Sequence, residues 1–214
     1  MKEKSPNQII RFDGRNRFVE VINSSFPIGK VEFRFRTYDL SLPKKSRFTG
    51  QIDYYLNFPV FLEFAHDAMS GRCKAVLAKA KEQHQNARAF FDQGGTSAGS
   101  LAAQGRERAD RMCEARQFML IAGNSGYLLE AESGPGEENK TGLIVPKYGK
   151  KYDRRPDVQI AIPLNDRQLK QLILTVEANL NAYLAATYVY AEGERRKQER
   201  VAQQQQQNAG YPSV

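Results

Sequence analysis

The chain reads as an α+β protein with two four-stranded antiparallel sheets, each followed by a long helix. Two junctions carry that reading. In Gln51-Ile52-Asp53-Tyr54-Tyr55-Leu56-Asn57-Phe58-Pro59, alternation gives way to apolar residues at Phe61, Phe64, Ala65, Ala68 and Met69. In Asp157-Val158-Gln159-Ile160-Ala161-Ile162-Pro163-Leu164-Asn165, it gives way to Leu169, Leu172, Ile173, Val176 and Leu180. Each is a switch from a period of two to about 3.6, where a strand hands over to a core-facing helix. The third observation is that several strand-like segments precede each junction. A doubled sheet-then-helix unit on a basic chain points to a sheet-based binder and away from an enzyme.

In the first half, strands are expected at Gln8 to Phe12 and Arg17 to Ile22, with Asp13-Gly14-Arg15-Asn16 as a hairpin turn. Lys30 to Tyr38 alternates cleanly, with Val31, Phe33 and Phe35 on one face and Lys30, Glu32, Arg34 and Arg36 on the other. Phe48 to Leu56 places Phe48, Ile52, Tyr54 and Leu56 opposite Arg47, Thr49, Gln51, Asp53 and Tyr55. The turn before it, Leu40 to Ser46, carries Pro43, Lys44 and Lys45. Pro59 suits the start of a helix, since the first turn tolerates its missing N–H. That helix is expected to run to about Phe91, with a weak point at Gly71.

Residues 92–105 read as a flexible, glycine-rich connection between halves 8–91 and 106–192 of one domain. They lack the Gly-Lys-Ser/Thr ending of a P-loop. The second half offers strands at Ala115 to Ala122, Tyr127 to Glu132, Gly142 to Lys147 and Asp157 to Pro163. A tight turn is expected at Asn124-Ser125-Gly126 and a polar loop from Ser133 to Asn139. Asn165, with Gln168 three positions on, forms a capping box for the second helix. Residues 1–7 read as a flexible N-terminus, and residues 193–214, with their glutamine run, as a disordered tail.

Composition narrows the partners. At 214 residues and 41% hydrophobic, the chain can bury a proper core. Its formal net charge of +8 favours a polyanion, nucleic acid above all. No apolar run approaches the ~20 residues that span a bilayer, and the first residues lack a signal-peptide pattern. Cys73 and Cys113 are the only cysteines and lack metal-ligand spacing, which suits structural thiols and a cytoplasmic address.

Enzymatic constellations are poorly represented. His66 and His84, the two histidines, lie 18 positions apart in one helical pattern, too far apart to share a metal. No HExxH, GxSxG, Walker or dinucleotide motif occurs. No catalytic residue, metal site or cofactor is expected.

Single-stranded nucleic acid calls for cations that track phosphates and flat rings that stack on bases. Lys30, Arg34, Arg36, Arg47 and Tyr55 fall on the polar faces or flanks of the third and fourth strands, either as a binding surface or as a charged face that keeps the sheet soluble. A second cluster, Lys147-Tyr148-Gly149-Lys150-Lys151-Tyr152-Asp153-Arg154-Arg155, holds five cations, two tyrosines and one acid in nine residues. Its mix of charge, rings and flexibility is that of single-strand binders. In this reading Lys147, Lys150, Lys151, Arg154 and Arg155 hold phosphates, while Tyr148 and Tyr152 stack. The long apolar stripe of the second helix, through Tyr183, Leu184, Thr187 and Tyr188, also suits packing against another subunit.

The layout resembles the Whirly proteins and the related PC4-like fold. The local likeness is strongest in Val158-Gln159-Ile160-Ala161-Ile162-Pro163-Leu164, then Leu169, Leu172, Asn179-Leu180 and Tyr183-Leu184, although the Lys-Gly-Lys-Ala-Ala-Leu motif of plant Whirly proteins is absent. The resemblance implies a (ββββα)2 arrangement of two crossed sheets braced by helices. It further implies largely sequence-independent binding of single-stranded DNA, often by a tetramer, in replication, recombination, transfer of a mobile element or transcription. RNA binding is the alternative within the family. A structural or regulatory oligomer that binds protein is the alternative outside it.

Overall fold

The structure, a computed structural model, describes residues 7–124 and 126–209, without the side chains of 199 and 202–209. Residues 1–6 and 210–214, and Ser125 of the expected turn, lie outside the described residues. The chain divides into two units, 1–176 and 177–214.

In the first unit, β1 (Gln8–Gly14), β2 (Arg17–Ile22), β3 (Lys30–Tyr38) and β4 (Phe48–Asn57) form a four-stranded antiparallel sheet in sequence order. Alternation decides which side chains turn inward. Val31, Phe33 and Phe35 of β3 stand beside Ile52, Tyr54 and Leu56 of β4, and all six are buried. Helix α1 (Phe58–Met69) starts with Pro in its first turn and buries Phe61, Phe64, Ala65 and Ala68 at helical spacing. It ends well short of the expected Phe91, because the weak point at Gly71 adopts a left-handed φ of 83° and breaks the helix before α2 (Arg72–Glu82). Helix α2 buries Cys73, Leu77 and Ala80. Burial pushes the Cys73 thiol up to about 11, and both cysteines are free, as structural thiols.

The second sheet has five strands, not four. Strand β5 (Arg88–Thr96) and helix α3 (Ala98–Ala103) occupy the stretch expected as the end of a helix and a flexible connection. Strand β6 (Cys113–Gly123) pairs with β5 and with β7 (Gly126–Glu138); β7 in turn pairs with β8 (Ile144–Pro146) and β9 (Val158–Leu164). Strand β7 runs straight through the residues expected as a polar loop. Its Gly134 lies flat beneath Tyr148, where a Cβ would come within 2.8 Å of the ring. The architecture is therefore α+β with antiparallel sheets of four and five strands, an extra strand and a divided first helix setting it apart from a strict repeat.

Phe118 of β6 joins the two sheets. Its ring centroid lies 4.9 Å from Phe33, 5.3 Å from Tyr54, and 6.0 Å from each of Phe35, Phe64 and Phe90. The core thus takes aromatic rings from β3, β4, α1, β5 and β6 at one point. Helix α4 (Asp166–Ala209) opens with the expected capping box: the Gln168 amide N–H donates to Asn165 Oδ1 and the Asn165 amide N–H donates to Gln168 Oε1. Leu169, Leu172, Ile173 and Val176 of its first turns are buried.

The second unit is helical up to Ala209, so the helix occupies most of the stretch expected as a disordered tail. The physical reason is local. Glu192 pairs with Arg195 at 2.8 Å and Arg196 at 3.1 Å, and Glu194 pairs with Lys197 at 2.8 Å, at the i,i+3 and i,i+4 spacings that support a helix after its apolar pattern ends. Tyr188, Val189 and Tyr190 are exposed there. Among the described residues, no helix is long and apolar enough to cross a membrane.

On the outer face of β7, Glu130 is buried and Glu132 lies next to it on the same side of the strand. The Gln159 amide donates to both, at 2.8 Å and 3.1 Å. Burial, then the neighbouring Glu130, raises the Glu132 pKa above the ordinary carboxylate value. A raised carboxyl pKa means that the folded state holds the proton more tightly. Its stabilising contribution is present below the unfolded pKa and is lost as pH rises through the folded one. Glu132→Gln is therefore expected to raise the thermal midpoint at neutral pH by about 2–4 °C for each kcal/mol of relieved repulsion. The gain should vanish at pH values where both states protonate Glu132, as scanning calorimetry at pH 7 and pH 3.5 would read.

Candidate nucleic-acid interface

The expected basic face of β3 and β4 is in place, but it is not a free positive surface. Arg11, Glu20, Arg34 and Asp53 stand side by side across the four strands, so that charges alternate in sign from β1 to β4. Arg34 Nε lies 2.7 Å from Glu32 Oε1, and Arg36 Nη2 lies 2.6 Å from Asp53 Oδ1. Glu32 is itself buried and accepts from the Ser24 and Ser25 hydroxyls. Arg34 thus compensates a buried carboxylate, and Arg36 is shielded, its side chain 14% exposed. Pairing of this kind turns an apparently basic strand into a neutral one.

Two loops carry unpaired cations. Lys44 and Lys45 of the β3–β4 loop, Arg47 after them, and Lys150, Lys151 and Arg155 of the β8–β9 loop make no ion pair among the described residues. The strands that follow the two loops touch. Gly50, near the start of β4, abuts Val158, the first residue of β9, with a Cβ at Gly50 placed 3.3 Å from Val158 Cγ1.

The remaining cations of the second loop hold it in shape. Arg154 reaches Asp110 at 3.5 Å and Asp157 at 3.9 Å, while Arg108 bridges Asp110 at 2.9 Å and Asp157 at 2.8 Å. The Arg108 hydrogen bond holds the Asp110 carboxyl down at about 2. Lys147 pairs with Glu137. Tyr152 keeps an exposed ring, with the Lys147 and Lys151 ammonium groups 5.6 Å and 5.5 Å from its centroid. Tyr148, expected as a stacking ring, is only 7% exposed and packs with Cys113, Ala115 and Ile144. It presents no face to a base.

A polar cleft opens between the edge strands β4 and β5, each of which has a single strand neighbour. Its two connected parts enclose about 550 Å³ and about 250 Å³ and share Lys30, Asp53, Tyr55, Gly95 and Arg116. Three cations (Lys30, Arg106 and Arg116) and three carboxylates (Asp53, Asp92 and Glu114) line it. On the floor, the Tyr54 hydroxyl donates to Asp92 Oδ2 at 2.9 Å, and burial raises the Asp92 pKa. Glu114 accepts from Arg116 and, at 3.3 Å, from Arg106. Tyr55 stands at the rim, 38% exposed.

No protein-family model matches the chain, and no curated protein is similar to it.

Sequence reasoning found Lys30 and Tyr55 of this cleft and missed Arg116, Arg106 and Asp92. For Arg116 a signal was present. It falls in phase with Phe118 and Leu120, so it continues the core-facing side of β6 just beyond the core's edge. Asp92 and Arg106 carried no such signal, because they fall in and just after the stretch read as flexible. Among the described residues, no group of acidic, histidine or cysteine side chains is placed to hold a metal ion.

Proposed function

We propose that this protein binds single-stranded DNA, largely without regard to sequence, as a Whirly-like or PC4-like two-sheet scaffold and not as an enzyme. One observation supports the reading: six cations without ion pairs among the described residues stand in the β3–β4 and β8–β9 loops, the strands that follow those loops abut at Gly50 and Val158, and a polar cleft with an exposed tyrosine at its rim runs along β4. Phosphates need unpaired, solvated cations, and single strands need an accessible ring. Lys44, Lys45, Arg47, Lys150, Lys151 and Arg155 are the phosphate contacts in this account, with Tyr55 and Tyr152 the stacking rings. Exposed Tyr188, Val189 and Tyr190 support self-association through the second unit, and the function suits a cytoplasmic protein of replication, recombination, transfer or transcription. The test is a mobility shift with single-stranded DNA, duplex DNA and single-stranded RNA of equal length at two salt concentrations. A single-stranded DNA complex that weakens steeply with salt is expected. Absence of a shift with every oligomer would remove the proposal and favour a protein-binding role.

A further inference from the structure

The cleft between β4 and β5 differs in chemistry from the loops beside it. Its cations and carboxylates balance, three against three. A phosphate would gain little there, since the three carboxylates of the lining repel it. A neutral group rich in hydrogen-bonding atoms fits better, and on a single strand that group is a base.

The polar atoms narrow the choice of base. Arg36 engages Asp53 through Oδ1, which leaves Oδ2 outside that pair. Arg116 spends one terminal nitrogen on Glu114, while the other makes only a long 3.4 Å contact to Thr96. Lys30 has no ion pair among the described residues. A carboxylate that keeps one oxygen outside its ion pair thus shares one cleft with two donors and with the Tyr55 ring. Guanine presents the matching set: N1–H and N2–H₂ donate on one edge, and O6 and N7 accept on the next. Adenine offers one donor group and no carbonyl, and cytosine and thymine, as pyrimidines, lack the N7 acceptor.

We infer that this cleft is a guanine-selective base seat, in which Asp53 accepts from the N1–H and N2–H₂ edge, Arg116 and Lys30 donate to O6 and N7, and Tyr55 stacks on the ring. The inference rests on the single-stranded DNA reading above and adds base preference at one position of an otherwise indifferent track. Gly94 adds room: no atom lies within 4 Å of where its Cβ would stand, so the β5 side of the cleft stays open.

Fluorescence anisotropy with oligo-dT 15-mers that carry one central dG, dA, dC or deoxyinosine tests it. The dG oligomer should bind about 10-fold more tightly than the dA and dC oligomers, the scale of one bidentate contact. Deoxyinosine, which lacks the N2 amino group, should fall between them. Asp53→Asn should bring the dG and dA oligomers within about two-fold of each other, because one of the two acceptors is replaced by an NH₂ donor that opposes the donor edge of guanine. Equal affinity for all oligomers with the unmodified protein, or a preference for dA or dC, would overturn the base seat and leave the single-strand reading standing. Failure to bind any oligomer would overturn both.

Discussion

Phe118→Ala is expected to destabilise the fold by about 3–5 kcal/mol, the largest effect of any single substitution considered for this chain. The side chain is fully buried and meets rings from β3, β4, α1 and β5. Truncation removes the transfer free energy of the ring and leaves a void that five elements would have to collapse together to fill. Because the rings belong to both sheets, the loss should appear as one cooperative transition at lower denaturant, followed by circular dichroism in urea. Phe118→Leu keeps most of the volume and should recover more than half of the loss. A Phe118→Ala protein within about 1 kcal/mol of the parent would mean that the sheets do not depend on this junction.

The second large effect concerns binding. Joint reversal of Lys150, Lys151 and Arg155 to glutamate is expected to weaken single-stranded DNA binding on the order of 100-fold at low salt. These three cations lack ion pairs among the described residues, so each change removes a phosphate contact and adds a repulsive charge. The contrasting pair is Arg34→Gln with Arg36→Gln. Both guanidinium groups are spent on Glu32 and Asp53, so their loss should change affinity by no more than about two-fold. It should instead cost stability, because Glu32 is left buried with only two hydroxyl partners. Equal loss of affinity in the two variants would contradict the division between loop and strand face.

That division shows how far the sequence could be read. The strands β3 and β4 were legible almost to the residue because their apolar residues alternate with polar ones, which writes a period of two into the chain. The capping box of α4 was legible because it is a local hydrogen-bond exchange. Strand β5 was not. Its Asp92-Gln93-Gly94-Gly95 run has the composition of a linker and becomes a strand only by pairing with β6. Gly95 is there because a Cβ would come within 2.3 Å of the Glu114 carbonyl oxygen, a requirement set by a neighbour almost twenty positions away. Likewise, Gly134 looked like a turn residue and is a seat for Tyr148.

The candidate interface was half legible for the same reason. Alternation placed Arg34 and Arg36 on the polar face correctly, yet their charge was cancelled by Glu32 and by Asp53 one strand away. Cross-strand register sets the second of these pairs, and no single-strand pattern contains it. In the loop cluster, composition located the cations without separating Arg154 and Lys147, which are paired, from Lys150, Lys151 and Arg155, which are not. Tyr148 and Tyr152 were indistinguishable in sequence; Ile144 and Ala115, brought together by β8 and β6, decide that only the first is buried.

The salt dependence of oligo-dT binding tests the central claim most directly. With the six unpaired loop cations on phosphates, the slope of log K against log salt should lie near about −4, and the Lys150, Lys151 and Arg155 reversal should shrink its magnitude by about 2. A slope near zero, or one that the loop reversal leaves unchanged, would contradict the account.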